Sequence, residues 1–271
     1  MNEQARHEAR LSPYVAPHLA RRQAGQKHPI HDFLFQYYSF RPAQLMRWRP
    51  PGRLDTKTRP IAETTLRLLK ATMAREGNFS CFGLHEWAMV YRDPATRHPQ
   101  PLRLGNEGTD EVVEAHRVRC SHWDAVRFFT PPALPLNTLK PRAHDRPAFE
   151  QPACLHGNMD LYKHAYRLAD VVGADLVADA FELAWDVRIV DMRAAPYDMS
   201  GITIDPYGIA WTPIRIETAE GKRVYADLQR QFADRAAPLR QRLVEAIERS
   251  LSCAAEGPAA RSSENTSGPV D

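Results

Sequence analysis

Two apolar-rich runs in the second half of the chain, "HGNMDLYKHAYRL" over 156–168 and "ADLVADAFELAWDVRIVDM" over 174–192, are separated by only five residues. Both repeat apolar residues at three- and four-residue steps, the signature of one face of an α-helix, and both exceed the usual length of a strand. A link this short folds the two helices back on each other as antiparallel neighbours. The pair is therefore the frame around which the rest must pack. The whole is read as mainly α: one helical domain over residues 1–252 with a minor β-hairpin, and a disordered tail over 253–271.

Further helices are expected over 1–25, amphipathic but interrupted by Pro13 and Pro17, and within "HPIHDFLFQYYSF". Another spans 60–76, opened by Pro60 and closed by Gly77, where proline suits the first turn and glycine the end. A charged helix covers 223–251 and breaks at Pro238. "CFGLHEWAMVYR" fits a buried strand or a short helix, and "DEVVEAHRVRCSHWDAVRFF" leaves the same choice open. "TPPALPLNTLKPRAHDRPAFEQP" reads as a long ordered loop of the kind that lines active sites. The hairpin is placed in "IDPYGIAWTPIRIETAEGKRV", where Ile214 and Ile216 alternate before a turn at Gly221. The last residues, rich in Ser, Ala, Gly and Pro, match no packed element.

No run approaches the roughly 20 apolar residues that span a bilayer, so no membrane partner is expected. The opening "NEQARHEAR" lacks the apolar stretch of a signal peptide, and the expected location is the cytoplasm. Cys81, Cys120, Cys154 and Cys253 form no CxxC pair, which argues against a zinc knuckle or a disulfide framework. Of 36 basic residues only six are lysine. Arginines at 21, 22, 41, 47, 49 and 53 are interleaved with Phe33, Phe35, Tyr37, Tyr38, Phe40 and Trp48. That mixture suits a nucleic-acid surface, with phosphates on the charges and bases on the rings, and equally an aromatic core edged by arginines.

Within the helix pair, His156, Asp160 and His164 advance by four residues and share one stripe; Asp179, Glu182 and Asp186 form a second. Acids in one row repel unless they are solvated, matched by cations or turned toward a metal ion. If the stripes face each other, His156 and Asp160 oppose Glu182 and Asp186, with His85, His116 or His122 completing a shell around Fe or Zn. His122 with Asp124 adds an HxD pair, the spacing of mononuclear iron sites. HExxH, GxSxG and the glycine-rich phosphate loops are absent.

At "HPIHDFLFQYYSFRPAQLMRW", "CFGLHEWAMVYR", "RCSHWDAVRFFTP", "CLHGNMDLYKHAYRL" and "DMRAAPYDMS" the chain resembles a bacterial family, common in actinobacteria, whose members are labelled 3-methyladenine DNA glycosylase. The resemblance spans roughly residues 14–250. It implies release of alkylated purines from DNA, a nucleobase pocket walled by aromatics such as Trp87, Trp123 and Tyr162, and an acid, Asp160 or Asp186. It also implies arginines on flanking phosphates, Arg41, Arg47 and Arg49 among them. No glycine loop of the LPGVG type, the mark of helix-hairpin-helix glycosylases, occurs. Three functions thus remain in view: base excision on DNA, a metal-dependent enzyme acting on a small molecule (a hydrolase or a non-haem iron oxygenase), and a DNA-binding protein without catalysis.

Overall fold

The computed structural model describes residues 1–93, 98–204 and 208–255. Twelve α-helices account for most of these residues. Helix α1 (Glu3–Gln23) opens on Asn2, whose side chain accepts the Ala5 N–H at 2.8 Å, and closes with Arg21 and Arg22 at its negative end. Pro13 and Pro17 lie within it without ending it, and His7, Leu11, Val15 and His18 form its buried stripe. Two short helices, α2 (Phe33–Gln36) and α3 (Pro42–Leu45), precede α4 (Arg59–Met73). Then come α5 (Leu84–Ala88), α6 (Gly105–Glu114), α7 (Trp123–Val126) and α8 (Arg146–Phe149). The last four are α9 (Leu155–Arg167), α10 (Ala169–Val172), α11 (Ala174–Ala194) and α12 (Ala219–Ala255).

The frame is the expected pair. His156, near the start of α9, lies within ligand reach of Asp191, near the end of α11, so the two helices run antiparallel. Gly173 makes the reversal between them at φ +84°, a left-handed backbone that a side chain disfavours, and Pro51 presses on it so closely that a Cβ would lie 2.8 Å from its ring. Helix α12 packs on α4, α9 and α11. Buried Arg240 of α12 donates to Asn158 Oδ1 of α9 at 2.5 Å, and Gln229 donates to Ala153 O at 3.1 Å. No helix among the described residues is long and apolar enough to cross a membrane.

Three local expectations change. Pro238 does not break α12, which runs through it; the lost amide bond is outweighed by packing along a helix of 37 residues. No hairpin forms around Ile214 and Ile216. Their side chains enter the main core, and Ile214 N donates to Arg193 O at 2.7 Å. Gly221 sits in the first turn of α12, where a Cβ would lie 1.9 Å from Arg215 O, so close approach rather than a turn demands glycine. Residues 205–207 of that segment lie outside the described residues. Among the described residues β pairing amounts to two isolated bridges, Leu102–Tyr197 and Thr203–Ala210. The tail lies outside the described residues from 256 onward, and α12 continues past Cys253 to Ala255.

The long proline-rich segment is irregular, as expected, apart from one 3-10 turn at Leu134–Leu136 and α8. Its anchor is Asn137, which is fully buried. The amide accepts Cys120 N–H at 2.8 Å and donates to Cys120 O at 3.0 Å and Leu139 O at 2.7 Å, so both sides of the Cys120 peptide depend on one side chain. Truncating it strands buried backbone groups, each worth about 1–3 kcal/mol. Asn137→Ala is expected to lower unfolding free energy by at least that much in urea titration; a variant as stable as the parent would show that the clamp is dispensable.

Candidate metal centre

The chain turns a sharp corner before α5: Phe82 lies at φ +50° and Gly83 at φ +71°. A bulky residue at positive φ is uncommon and is held there by its surroundings. Ala194 and the Tyr225 ring stand 3.3 Å from where a Gly83 Cβ would be. The corner drives all five residues of α5 into the interior. Trp87 then pins the helix by donating from Nε1 to Ala194 O at 2.8 Å, at the end of α11.

This docking gathers His85, Glu86, His156 and Asp191, each offering one ligand atom, with all four atoms within 4.8 Å of one another. His85 Nε2 stands 2.9 Å from Asp191 Oδ1 and 3.9 Å from Glu86 Oε1. Arg188, one turn before Asp191, donates to Asp191 Oδ2 at 2.8 Å, approaches Glu86 at 3.5 Å and lies over the Phe33 ring at 3.9 Å. His156 is half-buried, edge-on to His85 with ring centres 4.4 Å apart and stacked on His122 at 5.4 Å.

Burial drives His85 toward neutrality, but the Asp191 carboxylate outweighs it and holds the imidazole well above its ordinary value. Burial likewise pushes the Asp191 carboxyl up, and His85 pulls it far down. His156 is brought down to about 3 by burial and by the charge on His85. Neutral imidazole is the ligating form. Glu86, His156 and Arg188 also line a cavity of ≈ 310 Å³ whose walls include Phe33, Tyr37 and Phe128.

A second charged cluster adjoins the first. Asp160 accepts from Tyr38 Oη at 2.9 Å and from Arg146 at 2.9 Å, and lies 3.5 Å from Lys163. Burial raises its carboxyl, while His122, Lys163 and Arg146 together hold it well below the usual range. His122 is fully buried; Nε2 sits 3.6 Å from both Glu150 and Asp160, and neither ring nitrogen has a hydrogen-bond partner. Arg146 pairs with Glu150, and Lys163 reaches Asp124 at 2.9 Å. A third feature opens off His85: Cys81, Cys120 and Cys154 share a void of ≈ 10 Å³ with His85 and His156.

The expected shell is thus gathered only in part. His85 and His156 meet, but Asp160, His122 and Asp124 serve the adjoining cluster. Glu182 and Asp186 face away. Arg10 binds Glu182 at 2.6 Å and Asp179 at 2.7 Å, Arg242 binds Asp179 at 2.7 Å, and Arg235 binds Asp186 at 2.6 Å. Cations from α1 and α12 relieve the repulsion along that row, and Asp186 pairs with Arg235 away from the His85 cluster. His116 donates from Nδ1 to Val112 O at 2.6 Å at the end of α6, apart from the site.

The stacking positions are corrected too: Trp87 and Tyr162 are fully buried, so neither offers a face to a base, and Trp123 is half-buried. Arg41 and Arg47 are exposed, while Arg49 pairs with Asp170. Glu86 and Asp191 join the cluster without being among the residues expected to meet there. The usable signal was Arg188 three residues before Asp191 amid apolar neighbours, the spacing of an ion pair on a buried helix face. Comparison with protein-family models, with characterised proteins and with solved structures gives no match.

The acids on the two sides of α11 predict losses of different size. Glu182→Gln and Asp186→Asn, which loosen partly exposed pairs, are expected to change stability by less than about 1 kcal/mol. Asp191→Asn, which leaves His85 and Arg188 without their buried partner, is expected to cost about 3–5 kcal/mol. Urea unfolding of the three variants checks this, and similar losses in all three would put Asp191 in no special position.

Proposed function

We propose that the chain is a metal-dependent enzyme in which His85, Glu86, His156 and Asp191 hold a divalent transition-metal ion beside the aromatic cavity. The observation that carries this reading is the convergence of two imidazoles and two carboxylates within 4.8 Å. Mixed nitrogen and oxygen donors suit Fe(II) or Zn(II) better than a hard cation such as calcium. Around an ion with ligands at about 2.1 Å, neighbouring octahedral donors stand about 3 Å apart. The 2.9 Å between His85 and Asp191 matches that edge, so an ion can take the place of the proton they share. Arg188 then remains on the outer Asp191 oxygen and keeps the carboxylate oriented. The substrate is a small molecule entering the cavity of ≈ 310 Å³. An ion there would supply Lewis acidity or activate water, with Phe33, Tyr37 and Phe128 flanking the substrate. The four free thiols favour a reducing location, the cytoplasm.

Purified protein is expected to contain about one equivalent of metal per chain, to melt at lower temperature after chelation, and to recover when the ion is returned. His156→Ala, which removes a half-buried ligand without unpairing Asp191, should fold, carry less metal and respond less to chelator. Substoichiometric metal with no chelator effect on the wild type would remove the reading and leave His85, Asp191 and Arg188 as a structural ion-pair network.

Base excision is the second reading, supported by the same cavity, whose size and aromatic walls suit one nucleobase. It requires DNA affinity that falls steeply with salt and release of methylated purine from alkylated DNA. A filter-binding and base-release assay at low ionic strength tests both; absence of binding would exclude base excision and the non-catalytic DNA-binding alternative together.

A further inference from the structure

His164, third in the row with His156 and Asp160, takes no part in the cluster around Asp191. It lines a separate cleft of ≈ 720 Å³, which shares no lining residue with the aromatic cavity. The walls come from α4, from α8 with the turn before it, and from the last turn of α9. Every charged or titratable side chain among them is basic: Arg67, His144, Arg146, His164 and Arg167. Arg146 is matched by Asp160 and Glu150. Arg67 and Arg167 differ from it. Both are exposed and, among the described residues, neither forms an ion pair, whereas Arg10, Arg235 and Arg242 each meet a carboxylate. Beside them His164 is buried, and its Nδ1 has no hydrogen-bond partner, which is uncommon for a buried polar atom. Burial, against the pull of Asp160, brings that imidazole down to about 3, so at neutral pH it adds hydrogen-bonding capacity without charge.

We propose that this cleft binds a small organic phosphate, its phosphoryl oxygens on Arg67 and Arg167 and its organic part against Ile61, Leu68 and Pro147. Two guanidiniums without a counter-ion on one cleft repel each other until an anion lies between them, and the planar fork of arginine matches phosphate oxygens two at a time. A phosphate monoester carries close to two negative charges at neutral pH, which these two side chains balance. The rest of the lining is mostly apolar, as the organic part requires, and the volume falls within the roughly 300–1,000 Å³ of small-molecule sites. A nucleic-acid strand fits less well, since it needs cations that continue along its backbone, and here Glu63 beside Thr64 and Asp145 beside Arg146 put acids next to the lining residues. The site stands whether or not the neighbouring centre binds metal.

Calorimetric titration of the full chain at low ionic strength tests this with three probes: phenyl phosphate, inorganic phosphate and a short DNA duplex. Phenyl phosphate should bind, and more tightly than inorganic phosphate, because only the ester reaches the apolar wall. Arg67→Gln and Arg167→Gln, at exposed positions that leave the core intact, should each weaken phenyl phosphate by about tenfold or more, the effect of losing a charge-assisted hydrogen bond. Arg223→Gln, at an exposed position on α12 outside the cleft, should bind as the wild type does. No binding of phenyl phosphate, or equal affinity in all three variants, would overturn the proposal. Equal affinity for inorganic phosphate would remove the organic ligand, and a duplex that binds more tightly than phenyl phosphate and loses affinity in the Arg67 and Arg167 variants would make the cleft a nucleic-acid surface instead.

Discussion

A carboxylate with 1% of its side chain exposed has to be neutralised inside the protein, and Asp191 meets that demand through His85 on one oxygen and Arg188 on the other. The pairing couples three elements. It fixes α5 against the end of α11, turns Arg188 across the ring of Phe33 on α2, and carries Glu86 into the same space. Each ion alone would be unstable in the interior, and the group is tolerable because its members satisfy one another. The sharp corner at Phe82 and Gly83 belongs to the same constraint, since it is what delivers α5 to that depth.

Helix α9 divides its polar residues between two clusters. His156 and Asp160 lie on one stripe, about 6 Å apart along the axis, a spacing at which two side chains can share an ion, yet their packed neighbours draw them to different partners. His156 joins His85 and Asp191, while Asp160 joins Tyr38, Arg146 and Lys163. His122, stacked on His156 and 3.6 Å from Asp160, stands between the two. The proline-rich segment supplies Arg146 and Glu150 to this arrangement and Asn137 to the peptide of Cys120. Buried irregular backbone needs specific partners, and the Cys120 peptide finds them in Asn137.

Much of the helical frame was legible in the residues. The 3.6-residue repeat of 156–168 and 174–192 and the five-residue link between them predict the antiparallel pair of α9 and α11, and Pro60 marks the start of α4. A helix's own periodicity and its terminal residues are local properties, so sequence suffices for them. The prolines misled in the other direction: Pro13, Pro17 and Pro238 each remove one backbone hydrogen bond, and long packed helices tolerate that loss. Ile214 and Ile216 alternate like a strand because irregular backbone can also point every second residue into a core.

The candidate site was legible as a set of residue types and as two members, His85 and His156. Which residues meet was not. Asp179, Glu182 and Asp186 form the more conspicuous row, and Asp191 lies on the opposite side of the same helix from Glu182, nine residues and about 180° away. A stripe shows which side chains share a face, but only the packed neighbours decide whether that face meets arginines, as it does at Arg10, Arg235 and Arg242, or histidines. The thiols of Cys81, Cys120 and Cys154 converge for the same reason. Sequence by itself determined the paired helices α9 and α11 and the polar stripe on each, since both follow from local geometry; tertiary structure alone decided their partners, because those contacts join residues tens to more than a hundred positions apart.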